Sequence, residues 1–184
     1  MPADCFDDLS LPKEKRAFPD IVSPRFIDTI NVLASYYDPD ALEADKSLGK
    51  EYKRISGEGK DSYKGVFQVY TAYGVSAHYL IPRDGNIYET VDPENIAYHA
   101  GKSQMPDGRI NVNKFSIGIA LVYSKDESPT EEQYKACAAL CQMLKTKYPI
   151  KNIVLHSEIA TPAGRKSDPW NLDKDKLLKL IGPL

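Results

Sequence analysis

Histidine, cysteine and tryptophan are scarce in this chain of 184 residues, at three, three and one. The cysteines, Cys5, Cys137 and Cys141, are too few and odd in number for a disulfide framework. No apolar run approaches the roughly 20 residues of a membrane-spanning helix, so no membrane insertion is expected. The opening stretch "MPADCFDDLS" is acidic and has no apolar h-region, so no secretory signal is visible and cytoplasm is the default compartment. Charge of one sign is missing too. Lys and Arg number 24 against 26 Asp and Glu, a net −2, which gives no basic surface for nucleic acid or anionic lipid. Internal repeats and low-complexity tracts are absent. Tyrosine, at 12, is plentiful. Its rings line sugar and peptide clefts, and more often are simply half-buried.

The length suits one domain with a real core. Residues 1–24 carry four prolines and many charges and read as an extended arm, with 25–184 forming the domain. Such an arm would suit docking onto a protein partner; a disordered tail is the plainer expectation. Residues 26–37, "FIDTINVLASYY", read as a strand, and 38–60 as a polar loop with room for one short helix. Val66, Val69, Tyr70 and Tyr73 recur at helical spacing, and Gly74 is a natural stop. "SAHYLI", "PRDGN" and "IYETV" form a hairpin pattern around an Asp-Gly turn. In "FSIGIALVY", Ile117, Ile119, Leu121 and Tyr123 face one way and Ser116, Gly118, Ala120 and Val122 the other. The second face is mostly small, which invites a close neighbour. Residues 128–148 hold the clearest helix, with a capping box from Ser128 and Glu131 or from Thr130 and Gln133. Cys137 and Cys141, four apart on it, could pair on a metal but share the apolar stripe of Leu140 and Leu144, so they are assigned to the core. "KNIVLH" is the last strand and "DKDKLLKLI" the last helix. The expected fold is α/β: one mixed central sheet flanked by helices.

His156 closes an apolar run and enters a Pro/Gly loop, a usual place for functional residues. Asp168 follows within folding-back distance. Imidazole and carboxylate are both good zinc ligands, and Lys166 could set a cation against a developing oxyanion. A strand-end histidine, a solvated lysine and a turn aspartate before Pro169 explain the same residues, and taken alone the triplet favours that plainer explanation.

More of the chain shifts the balance. "GVSAHYLIPRDGNIYETVDPENIAYHAGKS", "NKFSIGIALV", "TEEQYKACAALCQML" and "LHSEIATPAGRKSDP" together resemble the zinc-dependent type 2 N-acetylmuramoyl-L-alanine amidases, relatives of peptidoglycan recognition proteins and phage amidase lysozymes. The resemblance runs over about residues 26–172, in several independent motifs. It implies cleavage of the amide between the lactyl group of N-acetylmuramic acid and L-alanine, with muropeptide or peptidoglycan as partner. It implies His156 and Asp168 as zinc ligands and Lys166 as the catalytic cation. "YHAG" is similar to the family's groove-lining "WHAG", which makes His99 and Asn113 candidate substrate contacts. His78 matches a family histidine that is not a ligand.

The departures are equally informative. The family's first ligand lies in patterns such as "IDTIVIHYTA". Here "IDTINVLASY" puts Leu33 in its place. An alternative alignment on "VYTA" puts Val69 there, which is no better. The family's glutamate in "SIGIEL" becomes Ala120 in "SIGIAL", and "DPW" replaces a common "DPG". Catalytic zinc takes three protein ligands and an open position. Two survive, so zinc is the implied cofactor but its site is incomplete unless His99 swings in. Without the metal no water is acidified, and without the glutamate a general base worth about 10²- to 10⁴-fold is lost. Three functions remain in competition. One is muropeptide recognition by a degenerate amidase that hydrolyses weakly or not at all, which loss of a ligand favours. The second is an active amidase, cytosolic or phage-borne, with a rebuilt metal site. The third is a scaffold domain of a phage particle or secretion apparatus.

Overall fold

The computed structural model describes residues 25–45 and 57–184. The arm expected at 1–24 lies outside the described residues.

Five strands form one mixed sheet in the order β3-β2-β4-β1-β5. They are β1 (Thr29–Ser35), β2 (Tyr79–Ile81), β3 (Tyr88–Glu89), β4 (Ser116–Val122) and β5 (Asn152–Leu155). β1 runs parallel to β4 on one side and to β5 on the other, while β2 and β3 make the antiparallel hairpin. Every residue of β1 and β4 is buried, as expected for central parallel strands covered on both faces. In the hairpin, the Asp84 carboxylate accepts the Asn86 N–H, and Gly85 takes the positive φ (+79°) that the turn requires.

Among the described residues five α-helical segments pack around the sheet: α1 (Pro39–Ala44), α2 (Tyr63–Tyr73), α3 (Glu131–Lys147), α4 (His156–Ile159) and α5 (Lys174–Ile181), with a short 3-10 helix at Val112–Lys114. Gly74 ends α2 in the left-handed region, as its position suggests. Of the two candidate capping boxes, Thr130 with Gln133 is the one formed. One face of the sheet, with Ile30, Val32, Ala34, Ile117, Ile119 and Leu121, packs against Cys137, Cys141 and Leu144 of α3 and Leu177 of α5. Both cysteines are free thiols in that core. The other face carries Leu33, Ala120, Val122 and Leu80 beneath Val66, Val69 and Tyr70 of α2. The alternation in residues 116–122 therefore divides the two layers as expected.

The structure corrects one boundary. His156 does not end a strand: β5 stops at Leu155, and His156 opens the single turn α4. The Glu158 carboxylate reaches back to the Leu155 N–H at 2.8 Å, and the turn forms around that contact. No helix among the described residues is long and apolar enough to cross a membrane.

Candidate functional site

The carboxyl ends of β1 and β5 bring His156 and Asp168 together. His156 Nδ1 lies 3.1 and 3.0 Å from the two Asp168 oxygens. His156 Nε2 lies 3.3 Å from the Ala100 carbonyl, to which it must donate. Asp168 is fixed separately: Oδ2 accepts the Ala34 N–H at 3.1 Å, and its carbonyl accepts the Ser157 N–H at 2.9 Å. Both side chains are buried. A carboxylate oxygen and an imidazole lone pair do not sit 3 Å apart with nothing between them, so the geometry calls for a proton on Nδ1 or a cation between the two. Burial alone would raise the Asp168 carboxyl. The charge and hydrogen bond of His156, the Ala34 amide and the Lys166 charge outweigh it and hold the group below its ordinary value. Lys166 is buried as well. The structure thus gathers all three residues singled out in residues 152–171.

Leu33 and Ala120 occupy the neighbouring positions of the same row. They are register partners across β1 and β4. Val32 pairs with Leu155 across β1 and β5, so Leu33 comes level with His156 one step further on. Leu33 and Ala120 belong to the apolar cluster under α2. The two polar residues sharing Leu33's face have other partners. The Asn31 amide is 3.0 Å from His99 Nδ1, and Ser35 Oγ is 2.6 Å from the Tyr70 hydroxyl. Among the described residues no group of three His, Cys, Asp or Glu side chains could hold a metal ion. Among the described residues the donors present therefore do not make up a catalytic zinc centre: His156 and Asp168 supply two of the three that it needs.

The "YHAG" segment lies beside this row and is tightly held. Asn113 Oδ1 accepts the backbone N–H groups of both His99 (3.1 Å) and Ala100 (2.8 Å). The His99 ring lies flat on Gly118, where an added Cβ would come within 2.4 Å of it. This is the close approach that the small face of β4 invited. Burial pushes the His99 imidazole well below its ordinary value, so the ring is neutral. His78 accepts the Gly118 N–H on Nδ1 at 2.9 Å and faces the Asn95 carbonyl through Nε2 at 3.0 Å. Burial pulls its pKa down to about 4. His99 and Asn113, expected as substrate contacts, are thus buried, and the Asn113 amide oxygen is committed to the backbone of the segment.

Two arginines escaped the sequence. Arg25 is buried and donates to the carbonyls of Pro93 (2.6 Å), Asn113 (3.0 Å) and Ser116 (2.7 Å), and also to Asn95. It ties the loop before "YHAG" to the start of β4. Nothing in "SPRF" signals that role. Arg165 stands within the "GRKSDP" motif and carries its own signal in its neighbours Lys166 and Asp168.

Residues 35–171 match the family described as N-acetylmuramoyl-L-alanine amidase. The 1,6-anhydro-N-acetylmuramyl-L-alanine amidase AmpD of Escherichia coli (strain K12) is 44% identical over 97 residues, which is 52% of this chain and 51% of that protein. The chain thus spans about half the length of the curated relatives it matches. A crystal structure of a Se-Met AmpD derivative superposes with a TM-score of 0.60 at 31% identity, covering 89% of this chain and 87% of the other. AmpDh3 from Pseudomonas aeruginosa, solved in complex with anhydromuramic pentapeptide, superposes with a TM-score of 0.57 at 29% identity, over 72% of this chain and 64% of the other.

Proposed function

The chain belongs to the N-acetylmuramoyl-L-alanine amidase family, and from that premise we propose that it binds muropeptides in the groove of the amidase fold without cutting the muramyl–L-alanine amide at a useful rate. One observation carries this reading: Leu33 and Ala120 lie side by side in an apolar cluster, and the motif resemblance implies that these are the positions of the family's first ligand and glutamate. Their hydrocarbon can neither complete a zinc site nor take a proton from water. His156 and Asp168 face each other at 3.0 Å, and Lys166 lies close enough for its charge to act on Asp168. The retained "YHAG" segment, clamped by Asn113 and supported on Gly118, is the wall against which a muropeptide lies. The anhydromuramic pentapeptide bound by AmpDh3 is the ligand class that this similarity suggests.

An active amidase with a rebuilt metal site is the second reading. The 44% identity to AmpD and the preserved His156, Lys166 and Asp168 favour it. Calorimetric titration with anhydromuramyl pentapeptide, alongside elemental analysis of the purified protein, separates the two. Saturable binding without stoichiometric zinc supports the binding domain. Stoichiometric zinc with release of free pentapeptide overturns it.

A further inference from the structure

Arg165 stands one residue before Lys166 and three before Asp168. Its guanidinium is fixed along one edge. Nε–H donates to the Thr161 carbonyl at 3.0 Å, and Nη2 donates to the carbonyls of Ala100 (3.1 Å) and Lys102 (2.8 Å). The Ala100 carbonyl is the one that His156 Nε2 also faces, so imidazole and guanidinium share an acceptor. Gly101 makes the approach feasible: a Cβ there would come 3.2 Å from Nη2 and 3.4 Å from Nη1.

These three contacts use every N–H of Nε and Nη2 and leave both of those on Nη1. Nη1 makes no hydrogen bond among the described residues, and Arg165 as a whole is half-buried. No carboxylate of the described residues forms an ion pair with Arg165. A guanidinium is charged at every ordinary pH and presents a planar fork suited to carboxylates. Held on three carbonyls beside His156, with no carboxylate partner among the described residues, it has already lost much of the rotamer freedom that binding would otherwise cost.

We propose that Arg165 reads a carboxylate of the peptide stem of the bound muropeptide and so sets specificity at this groove. The inference rests on the muropeptide-binding reading above. The test is calorimetric, with two probes: anhydromuramyl pentapeptide and the same compound with its carboxylates amidated. The unmodified protein should bind the free-acid peptide about tenfold or more tightly than the amidated one. Arg165→Gln should bring the two to parity near the amidated peptide's affinity, a loss of discrimination that a purely structural role would not produce. Equal binding of both probes by the unmodified protein overturns the inference and leaves the muropeptide reading standing. So does a preference that survives in Arg165→Gln. Binding of neither probe overturns the muropeptide reading, and the inference falls with it. Where the glutamine variant does not fold, Arg165→Lys replaces it. The preference should then narrow, because an ammonium lacks the fork, and an unchanged preference overturns the inference.

Discussion

Leu33 and Ala120 face the same side of two adjacent parallel strands, paired in register, and His156 follows directly after Leu155, the β5 partner of Val32. Isobutyl and methyl therefore lie side by side in the sheet, next to the turn that carries the imidazole. A hydrolytic zinc site here would need two further polar groups where these two apolar side chains pack under α2.

Restoring both groups tests that statement. Leu33→His with Ala120→Glu places an imidazole and a carboxyl in an apolar cluster, which should destabilise the metal-free protein by about 2–5 kcal/mol. Zinc at 100 times its dissociation constant should then return about 2.7 kcal/mol. Thermal unfolding with and without zinc should show a rise in midpoint for the double variant and none for the parent. No zinc response in the double variant means that β1 is misaligned with the family's first strand.

Gly118→Ala should be far worse than a methyl suggests. The new Cβ would sit 2.4 Å from ring atoms of His99. Expelling that ring should cost about 1–3 kcal/mol in urea unfolding and should weaken muropeptide binding, because the "YHAG" backbone moves with it.

Arg25→Met leaves the carbonyls of Pro93, Asn113 and Ser116 without their donor. Losing several buried charge-assisted hydrogen bonds should cost about 2–4 kcal/mol, measured as a shift in denaturant midpoint at unchanged slope. An effect within about 0.5 kcal/mol would show that Arg25 ties nothing together.

Acid should weaken the fold through its buried histidines. His78 is neutral in the folded chain, with its pKa lowered from 6.5 to about 4 by burial, and His99 is shifted in the same direction. Below pH 6.5 the unfolded chain takes up protons that the folded chain refuses, so stability declines as pH falls from 6.5 towards 4. The His78 contribution is about 3 kcal/mol at most. Urea unfolding at pH 7, 5.5 and 4.5 should show the decline, and His78→Gln should flatten it. A flat profile in the parent would mean that the imidazole reaches water.

Local pattern made much of this fold legible. Strict alternation in residues 116–122 separated the two layers, two overlapping capping boxes bracketed the start of α3, of which Thr130 with Gln133 forms, and Gly74 marked the end of α2. His156, Lys166 and Asp168 were legible because they lie within one short stretch. What could not be read there depends on distant partners. Arg25 is held by carbonyls 68 to 91 residues away. Asn113 serves the backbone of His99 and Ala100 rather than an outward face. His156 opens a helical turn because Glu158 caps it, a contact that outweighs the apolar run before it. Leu33 and Ala120 were each visible as departures, but their pairing in one packed cluster needed the register of the sheet.

Single-turnover hydrolysis is the most direct measurement. The protein is held in excess over anhydromuramyl pentapeptide, with added zinc, and free pentapeptide is followed by mass spectrometry. With His156 and Asp168 as the proposed donors and no third among the described residues, the peptide should bind and remain intact whether or not zinc is present. Zinc-dependent release of the pentapeptide would mean that a third donor completes the site and that this chain cuts what it binds.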